Sequence, residues 1–281
     1  YLARARELSQ SNETERDYIA ARLFLRTGRI DEGIRLLEQK DLEGILPTIA
    51  RPQRFHREAT LLLSLFHAFR GDLEASETRA RQGIEIGKYL GSSFVQSVGL
   101  MRLGHPTQMI ELFTFTGDGY PRAIALYEES IRKVDVARIH VEPLWGICRA
   151  LGFSGQIIEA RDQAHEALTI ARKSGDEWIG ILIRISLGAS EILAGNHSEA
   201  QVVLTEAETL AIKVKDPLSL CASRIWLALN AWQQGLQNSA IVYCKKLLPL
   251  VQQNHYEYLL TRVTLLGLPQ PSMIIPLLLE A

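Results

Sequence analysis

Small residues return at a fixed spacing along this chain, and that spacing most constrains its fold. In the stretch IRISLGASEILAGNHSEA, residues 183–200, Gly188 interrupts an apolar run and Gly195 follows seven positions later. A glycine inside a helix costs about 1 kcal/mol relative to alanine, so Gly188 indicates close packing and Gly195 a turn. The same spacing recurs at Ala21 and Gly28, Ser64 and Gly71, Cys148 and Gly155, and Ala228 and Gly235. The chain therefore repeats a unit of about 40 residues.

A second small residue stands five positions after each of these turn glycines, and the set is Gly33, Ser76, Ala160, Ala200 and Ala240. Small residues on two consecutive helices let their backbones approach toward the short end of the usual separation of about 8–10 Å. Each unit is therefore predicted to be a pair of helices joined by a glycine turn. A further unit over LMRLGHP and DGYPRAIALYEESI supplies Gly104 and Ala123, and YLLTRVTLLGLP places Leu266 and Gly267 in the first helix of a last unit.

These units predict an all-α fold, a right-handed α-solenoid of about six to seven helix pairs with a period near 40 residues. The pairs are expected to end near residues 40, 90, 134, 173, 213 and 253, with a partial pair over 255–281. No alternating strand pattern competes, and residues 1–281 are expected to form a single superhelical domain. Because the chain begins at Tyr1 and not at methionine, we expect it to be a segment of a longer protein.

One predicted irregularity follows Gly104. Pro106 is expected to end its helix early, because proline lacks the backbone N–H and clashes with the preceding turn. The residues after it, through Phe115, are apolar for a loop. We expect them to fold back on the solenoid as an extra turn of helix, or else to contact a ligand or a neighbouring domain.

The charge balance and the cysteines exclude several classes of function. The chain has 31 basic and 32 acidic residues with no block of like charge, so this segment is not expected to contact nucleic acid or an anionic membrane. No apolar run reaches the roughly 18 residues of a membrane helix. Cys148, Cys221 and Cys244 are far apart in apolar helical patterns, which is typical of buried thiols in a reducing, cytoplasmic setting.

Candidate chemistry is sparse. The seven histidines show no metal-ligand spacing such as HExxH, so no metal is expected. The sequence GFSG, residues 152–155, is one residue short of a nucleophile elbow and coincides with a repeat turn. Since no nucleophile, base and stabilising group form a recognisable set, the chain is predicted to have no catalytic residue, no cofactor and no enzymatic activity.

With small residues at these positions, SLGASEILAGNHSEA resembles the tetratricopeptide repeat, whose first helix carries a Leu-Gly-like pair and whose second helix begins with a Gly-x-x-x-x-Ala step. The longer period, with stretches such as GSSFVQSVGLMRLGH, EPLWGICRALGFSG, KSGDEWIG and IIPLLLEA, is similar to the helical-repeat segment of large bacterial transcriptional regulators. These are the LuxR-type and SARP-like activators that carry a signal-transduction ATPase. The resemblance covers essentially the whole chain and implies inducer sensing or partner docking. The ATPase and DNA-binding motifs are not in this segment and are expected outside it.

The resemblance also implies where a ligand would bind. In the tetratricopeptide arrangement, the residues three before and one after the small position tend to face the concave surface. On this basis a ligand or partner is predicted to contact Tyr18, Arg22, Met101, His105, Trp145, Arg149, Ile185 and Ile225. Trp232, four residues after the small position Ala228, is added as part of the apolar C-terminal end of the groove. The middle of the groove combines aromatic surface with hydrogen-bond donors, which suits a sugar, an anionic small molecule or an acidic peptide. The C-terminal part is apolar, and it either receives a partner helix or is covered by residues 272–280 or by another protomer.

The sequence thus predicts a regulatory domain that senses a ligand, such as a small-molecule or peptide inducer, or binds a protein partner. Binding on the concave face would change which curvature of the solenoid is favoured. The alternative is a constitutive protein-interaction scaffold with no small-molecule ligand. Self-association is compatible with both.

Overall fold

The computed structural model describes residues 2–44, 46–50, 57–114 and 116–280, and these ranges contain helices and turns but no strand. Six helix pairs follow one another: α1 (Leu2–Arg26) and α2 (Ile30–Leu42), α3 (Ala59–Arg70) and α4 (Leu73–Tyr89), α5 (Ser93–Thr114) and α6 (Gly119–Lys133), α7 (Ala137–Phe153) and α8 (Ile157–Ser174), α9 (Glu177–Leu193) and α10 (His197–Val214), α11 (Pro217–Gln233) and α12 (Gln237–Asn254). A short α13 (Tyr258–Thr261), a 3₁₀ turn (Pro271–Ile274) and α14 (Ile275–Glu280) follow. The predicted all-α, tetratricopeptide-like solenoid is confirmed.

The predicted turn glycines adopt backbone conformations that other residues rarely occupy. All five have φ between 72° and 86°, and they are Gly28, Gly71, Gly155, Gly195 and Gly235. A left-handed residue at the end of a helix satisfies its last carbonyl groups and reverses the chain, and glycine adopts that conformation without a Cβ clash. The glycine spacing in the sequence therefore marks the turn within each of these pairs.

The small residues lie where the two helices of a pair cross. A Cβ placed on Gly188 of α9 would stand 2.5 Å from Cγ of Leu204 on α10, closer than real side-chain contacts allow. In the second pair, the Ser64 hydroxyl donates a 2.8 Å hydrogen bond to the carbonyl oxygen of Ser76. Both contacts need a short distance between helix axes, as the sequence predicts.

Helix α5 is longer than predicted. Pro106 lies inside it and the helix continues to Thr114, so the expectation that Pro106 ends the helix is wrong. Met109, in the turn after the proline, is fully buried. Its burial offsets the one backbone hydrogen bond that proline removes, and the apolar stretch packs on the solenoid as further helix. Phe115 lies outside the described residues.

The C-terminal segment does not form the predicted seventh first helix. Helix α13 ends at Thr261, and residues 262–270 are not helical. Prolines at 269 and 271 disfavour helical conformation in the residues that precede them. Leu266 and Gly267, which the sequence places at a helix crossing, lie instead in this irregular segment, with Leu266 only 2% exposed.

Residues 256–268 tie the C-terminal end of the solenoid to its N-terminal end. We call this set of contacts the closure, and it comprises hydrogen bonds from Leu265 N to Ala68 O at 3.3 Å and from Tyr256 Oη to Gly28 O at 2.8 Å, and an ion pair of Arg262 with Asp72 at 2.5 Å. The same segment is held to α11, because Trp226 Nε1 donates to Leu266 O at 2.9 Å. The concave side therefore carries a segment of this chain.

The first helices also meet one another across the interior. Phe69 of α3 stacks on Trp145 of α7 with ring centroids 6.4 Å apart, and it lies edge-on to Trp178 of α9 at 6.3 Å. One cluster of buried apolar residues extends from α1 to α14. The interior is thus a packed core shared by the two ends of the chain.

Two further features of the fold are the burial of the cysteines and the composition of the helices. Cys148, Cys221 and Cys244 are free and buried, as predicted, and burial raises the pKa of the Cys148 thiol to about 12. Within the described ranges, no helix combines the length and the apolar composition needed to cross a lipid bilayer.

Candidate functional site at the mouth of the solenoid

A cavity of about 180 Å³ opens beside the first turns of α5, α7 and α9, and we call it the mouth cavity. Residues of α1 and α3 complete its wall, so five first helices contribute to it. Its charged lining consists of the guanidinium groups of Arg22, Arg26, Arg102 and Arg138 and the carboxylates of Glu58, Glu142 and Asp176. The cavity is therefore both charged and shared between repeats that are distant in sequence.

Arg26, at the end of α1, is held from two directions. Its Nη1 and Nη2 donate to the two carboxylate oxygens of Asp176 at 2.5 and 2.9 Å, and its guanidinium lies 4.5 Å from the centre of the Trp178 ring. Burial opposes ionisation of Asp176, but the hydrogen bonds and charge of Arg26, together with the charge of Arg138, hold the pKa of that carboxyl below its usual value. A bidentate pair stacked on an aromatic ring fixes the guanidinium plane.

A second arginine is positioned in the same way. The Tyr18 hydroxyl donates to Glu58 Oε2 at 2.8 Å, and Arg22 lies 3.6 Å from the same oxygen and 5.2 Å from the centre of the Tyr18 ring. Burial, followed by the charge of Glu58, raises the pKa of Tyr18. Tyr18 therefore stays neutral and serves as a donor and a stacking platform.

The third and fourth arginines differ from these two. Arg102 pairs with Glu142, its side chain is 10% exposed, and burial lowers its pKa to about 9. Its Nε atom is buried without a hydrogen-bond partner among the described residues. Arg138 is exposed, and no carboxylate of the described part of the chain lies within ion-pair distance of it. Within the described residues, the carboxylates of the cavity thus leave two groups without a partner: the buried Nε of Arg102 and the exposed guanidinium of Arg138.

A line of buried polar groups leads from this cavity into the core. It consists of Arg149 Nη1 to Gln108 Oε1 at 2.9 Å, Gln108 Nε2 to Tyr127 Oη at 2.6 Å, Tyr127 Oη to His105 Nδ1 at 2.8 Å, and His105 Nε2 to Glu142 Oε1 at 3.1 Å. We call it the polar chain. It links α5, α6 and α7, and it ends on the carboxylate that also pairs with Arg102.

Donors and acceptors in the polar chain can run in one direction only. Burial lowers the pKa of His105 well below its usual value, and the charges of Arg102 and Arg149 lower it further, so the ring is neutral at pH 7. A neutral imidazole has one donor and one acceptor. Glu142 accepts from Nε2, so Nδ1 is left to accept from the Tyr127 hydroxyl. Arg149 can only donate, so it fixes the same direction from the other end of the polar chain, although its Nη2 has no hydrogen-bond partner among the described residues.

The structure places the nine predicted contact residues in three different settings. Tyr18, Arg22 and Met101 line the mouth cavity. Five others lie in the packed interior, each at most 2% exposed, and they are His105, Trp145, Arg149, Ile185 and Ile225. Trp232 is half-buried and lies outside the cavity wall. The interior of the solenoid is packed and is covered by a segment of this chain, so ligand contact by these five residues stays a prediction that requires the interior to open.

Sequence reasoning missed several residues of the cavity. Arg26 and Asp176 are 150 residues apart, and no local pattern relates them. Arg102 did carry a signal, because an arginine inside the apolar run LMRLGHP has to find a buried partner if that run packs in a core. With His105 and Gln108 it follows a spacing of three residues, which places the three side chains on neighbouring positions of one helix face.

No protein-family model and no curated protein sequence matches the chain. Solved structures match it in fold. A Rap protein complexed with competence and sporulation factor gives a TM-score of 0.52 at 14% identity, over 89% of this chain and 70% of that one. Aspartyl phosphate phosphatase F from Bacillus subtilis gives 0.51 at 15% identity, over 87% of this chain and 65% of that one.

A signal transduction ATPase with numerous domains from Pyrococcus horikoshii, which has a tetratricopeptide repeat sensor, gives a TM-score of 0.49 at 14% identity. The match covers 87% of this chain but only 36% of that one. The Rap protein and the phosphatase have TM-scores above 0.5, and at 14–15% identity this likeness shows a shared helical-repeat fold and nothing more.

Proposed function

We propose that this chain is a regulatory binding domain of a larger bacterial transcriptional regulator, and that its ligand, or one end of a protein partner, enters the mouth cavity. The shape of the cavity carries the proposal. A single occupant would touch α1, α5, α7 and α9, which belong to four different helix pairs. Occupancy would therefore act on the relation between repeats and not on one helix alone.

The contacts around the cavity suggest how binding is transmitted. Arg26 and Asp176 join α1 to α9 across the mouth, and the closure joins the same N-terminal pair to the C-terminal segment. A ligand shifts a conformational equilibrium by its difference in affinity for the two states. An occupant that binds the closed arrangement more tightly would hold the first pair in place, and one that displaces Arg26 from Asp176 would release it.

The fold comparison agrees with a binding role. A Rap protein with a similar helical-repeat fold has been solved in complex with competence and sporulation factor, so this architecture accommodates a signalling molecule. The free, buried thiols suit a reducing cytoplasm. The regulator context rests on the resemblance of the repeat sequence.

The test uses the full-length regulator with Arg138→Glu and a matched control, Arg132→Glu. Arg132 lies on α6 with a side chain 66% exposed and outside the cavity. Arg138→Glu is expected to abolish inducer-dependent transcription while folding, checked by circular dichroism, and oligomeric state are unchanged, and Arg132→Glu is expected to retain the response. Equal inducer response in both variants would contradict a ligand site at the mouth.

A constitutive scaffold is the second candidate, and one surface favours it. Val202, Thr205 and Leu210 line a shallow groove on α10, and Val202 is 61% exposed. Exposed apolar side chains in a groove are a common contact for a partner helix. If Val202→Glu in the same regulator abolished a protein interaction while Arg138→Glu left regulation intact, the scaffold would be the better description.

A further inference from the structure

The charges of the mouth cavity do not balance. Four guanidinium groups face three carboxylates. Three of the guanidinium groups have a carboxylate partner: Arg22 pairs with Glu58, Arg26 with Asp176, and Arg102 with Glu142. Arg138 lies at the same cavity without an ion pair among the described residues. One positive charge at the opening is thus available to a ligand.

Arg102 has a buried donor that the described residues leave unsatisfied. Its side chain is nine-tenths buried, it lines the cavity, and its Nε has no hydrogen-bond partner in the described part of the chain. Buried donors in native proteins are nearly always satisfied by protein, water or ligand. Arginine presents its donors as a planar fork that matches the oxygen atoms of a carboxylate or a phosphate. The unsatisfied donor is therefore of the kind that an oxyanion would satisfy.

The other two arginines are already oriented. Arg26 lies over one face of Trp178 and Arg22 over one face of Tyr18, so these two faces are not free to stack on a sugar or a base. What the cavity offers a ligand is oriented N–H donors and positive charge. Because Arg26 is fixed before binding, it loses little conformational entropy when an anion is bound.

The volume limits the size of the bound group. A space of about 180 Å³ corresponds to roughly six water molecules at about 30 Å³ each. That is enough for a carboxylate or a phosphate group with its first attached atoms. The remainder of a larger ligand would have to extend out through the mouth, past Arg22 and Arg138, which are exposed.

We infer that the mouth cavity is an oxyanion site: it binds the carboxylate or phosphate group of the ligand, with Arg102 and Arg138 as its binding residues. This inference rests on the proposed function and names the chemical class that it leaves open. Glu142 is then the internal competitor, since it pairs with Arg102 when the cavity holds no oxyanion, and it is also the last acceptor of the polar chain. An oxyanion on Arg102 would thus compete with Glu142 and change the hydrogen bond between Glu142 and His105.

The test measures binding of inorganic phosphate and of succinate to the chain by titration calorimetry, at constant ionic strength set with sodium chloride. Saturable binding of at least one anion is expected. Arg138→Gln should weaken it at least tenfold, whereas Arg132→Gln should leave it unchanged. Phosphate binding without succinate binding would identify a phosphate ligand, and the reverse would identify a carboxylate ligand.

Arg102→Gln is expected to abolish binding, and its folding is checked by circular dichroism. Should that variant fail to fold, Arg138→Gln decides alone, since Arg138 is exposed and forms no ion pair with a carboxylate in the described ranges. Absence of saturable binding of both anions would overturn the inference, and so would equal affinity in Arg138→Gln and Arg132→Gln. Binding of ethylammonium in place of the anions would also overturn it.

The outcomes distinguish this inference from the function on which it rests. If the Arg138→Glu regulator lost its inducer response but the chain bound neither anion, the oxyanion class would be wrong and the sensor role would stand. If the anions bound and Arg138→Gln weakened their binding, yet no cavity variant altered transcription, the oxyanion site would be supported and the sensor role would be wrong.

Discussion

The hydroxyl of Tyr256 donates a 2.8 Å hydrogen bond to the carbonyl oxygen of Gly28, across 228 residues of sequence. Gly28 is the turn of the first helix pair, and Tyr256 follows the last one. Burial is the main cause of the raised pKa of Tyr256, so the hydroxyl keeps its proton and donates. The two ends of the solenoid are therefore joined by a specific polar contact as well as by apolar packing.

Replacing Tyr256 by phenylalanine is expected to lower the free energy of unfolding by about 1 kcal/mol, the net value of an ordinary hydrogen bond. The loss is this small because the Gly28 oxygen also accepts from Ile30 N. Urea unfolding measures it, with Tyr89→Phe as the control, since Tyr89 is 65% exposed. The Leu265 amide should also exchange faster with solvent in Tyr256→Phe. An unchanged midpoint together with unchanged exchange would show that this bond does not stabilise the closure.

Two glycines of α9 offer a matched pair. A Cβ on Gly188 would stand 2.5 Å from Leu204 Cγ, whereas one on Gly180 would meet nothing closer than Arg184 Nη1 at 3.4 Å. Gly188→Ala is expected to destabilise the protein by about 1–3 kcal/mol through overpacking. Gly180→Ala should instead stabilise it by up to about 1 kcal/mol through helix propensity. Thermal melts compare them, and equal effects would contradict the close crossing of α9 and α10.

His105 is expected to make the protein sensitive to mild acid. Its pKa in the folded state is held below the usual value of about 6.5 by burial and by the charges of Arg102 and Arg149. As pH falls below about 6.5, the unfolded chain takes up a proton that the folded protein does not. The free energy of unfolding should therefore decrease as pH falls below about 6.5, and above that pH His105 should cause no loss of stability.

The measurement is urea unfolding at pH 7.5 and pH 5.5. His105→Gln retains a donor toward Glu142 but cannot titrate, so it should lose less stability between the two pH values than the wild type. Some loss should remain, because burial also lowers the pKa of His67. His165→Gln, an exposed position on α8, is the control. A pH dependence in His105→Gln as steep as in the wild type would refute the assignment.

Asp216 gives a pH effect of opposite sign. Burial raises the pKa of this carboxyl despite hydrogen bonds from Ser219, Leu218 and Trp178. The folded protein thus binds the proton more tightly than the unfolded chain, so stability falls as pH rises from about 3.9 through the raised pKa. At pH 7 the ionised Asp216 carboxylate is therefore less stable in the folded protein than in the unfolded chain.

Asp216→Asn removes that charge and keeps an acceptor for the amides of Leu218 and Ser219 at the start of α11. The free energy of unfolding at pH 7 is expected to be equal or higher in this variant. Asp216→Ala, which loses the cap, should cost about 1–2 kcal/mol. Chemical denaturation of both variants decides, and an asparagine variant as unstable as the alanine variant would show that the charge itself is needed.

The repeat could be predicted because it depends on local sizes. Gly188 and Gly195 specify a crossing and a turn whatever the rest of the chain does, and both lie where expected. The closure could not, because it depends on the curvature accumulated over six pairs and on where residues 256–268 then fit. The burial of Trp145 and Arg149 depends likewise on helices that are distant in sequence, because Phe69 stacks on Trp145 and Gln108 accepts from Arg149. Pro106 does not end its helix as local propensity predicts, because the tertiary packing of the following turn stabilises the helix beyond it.

The closure also bears on how this protein is made. In an open solenoid each helix pair is supported by its neighbours alone, so pairs can fold in order as the chain is synthesised and the end pairs fray first. Here the first pair is completed by residues that are synthesised more than 200 positions later. The N-terminal helices must wait for the rest of the chain, and the slow step of folding is expected to be the meeting of the two ends. A molecule truncated before Tyr256 would leave its first pair unsupported on one side, and that pair is where a protease or a chaperone would bind first.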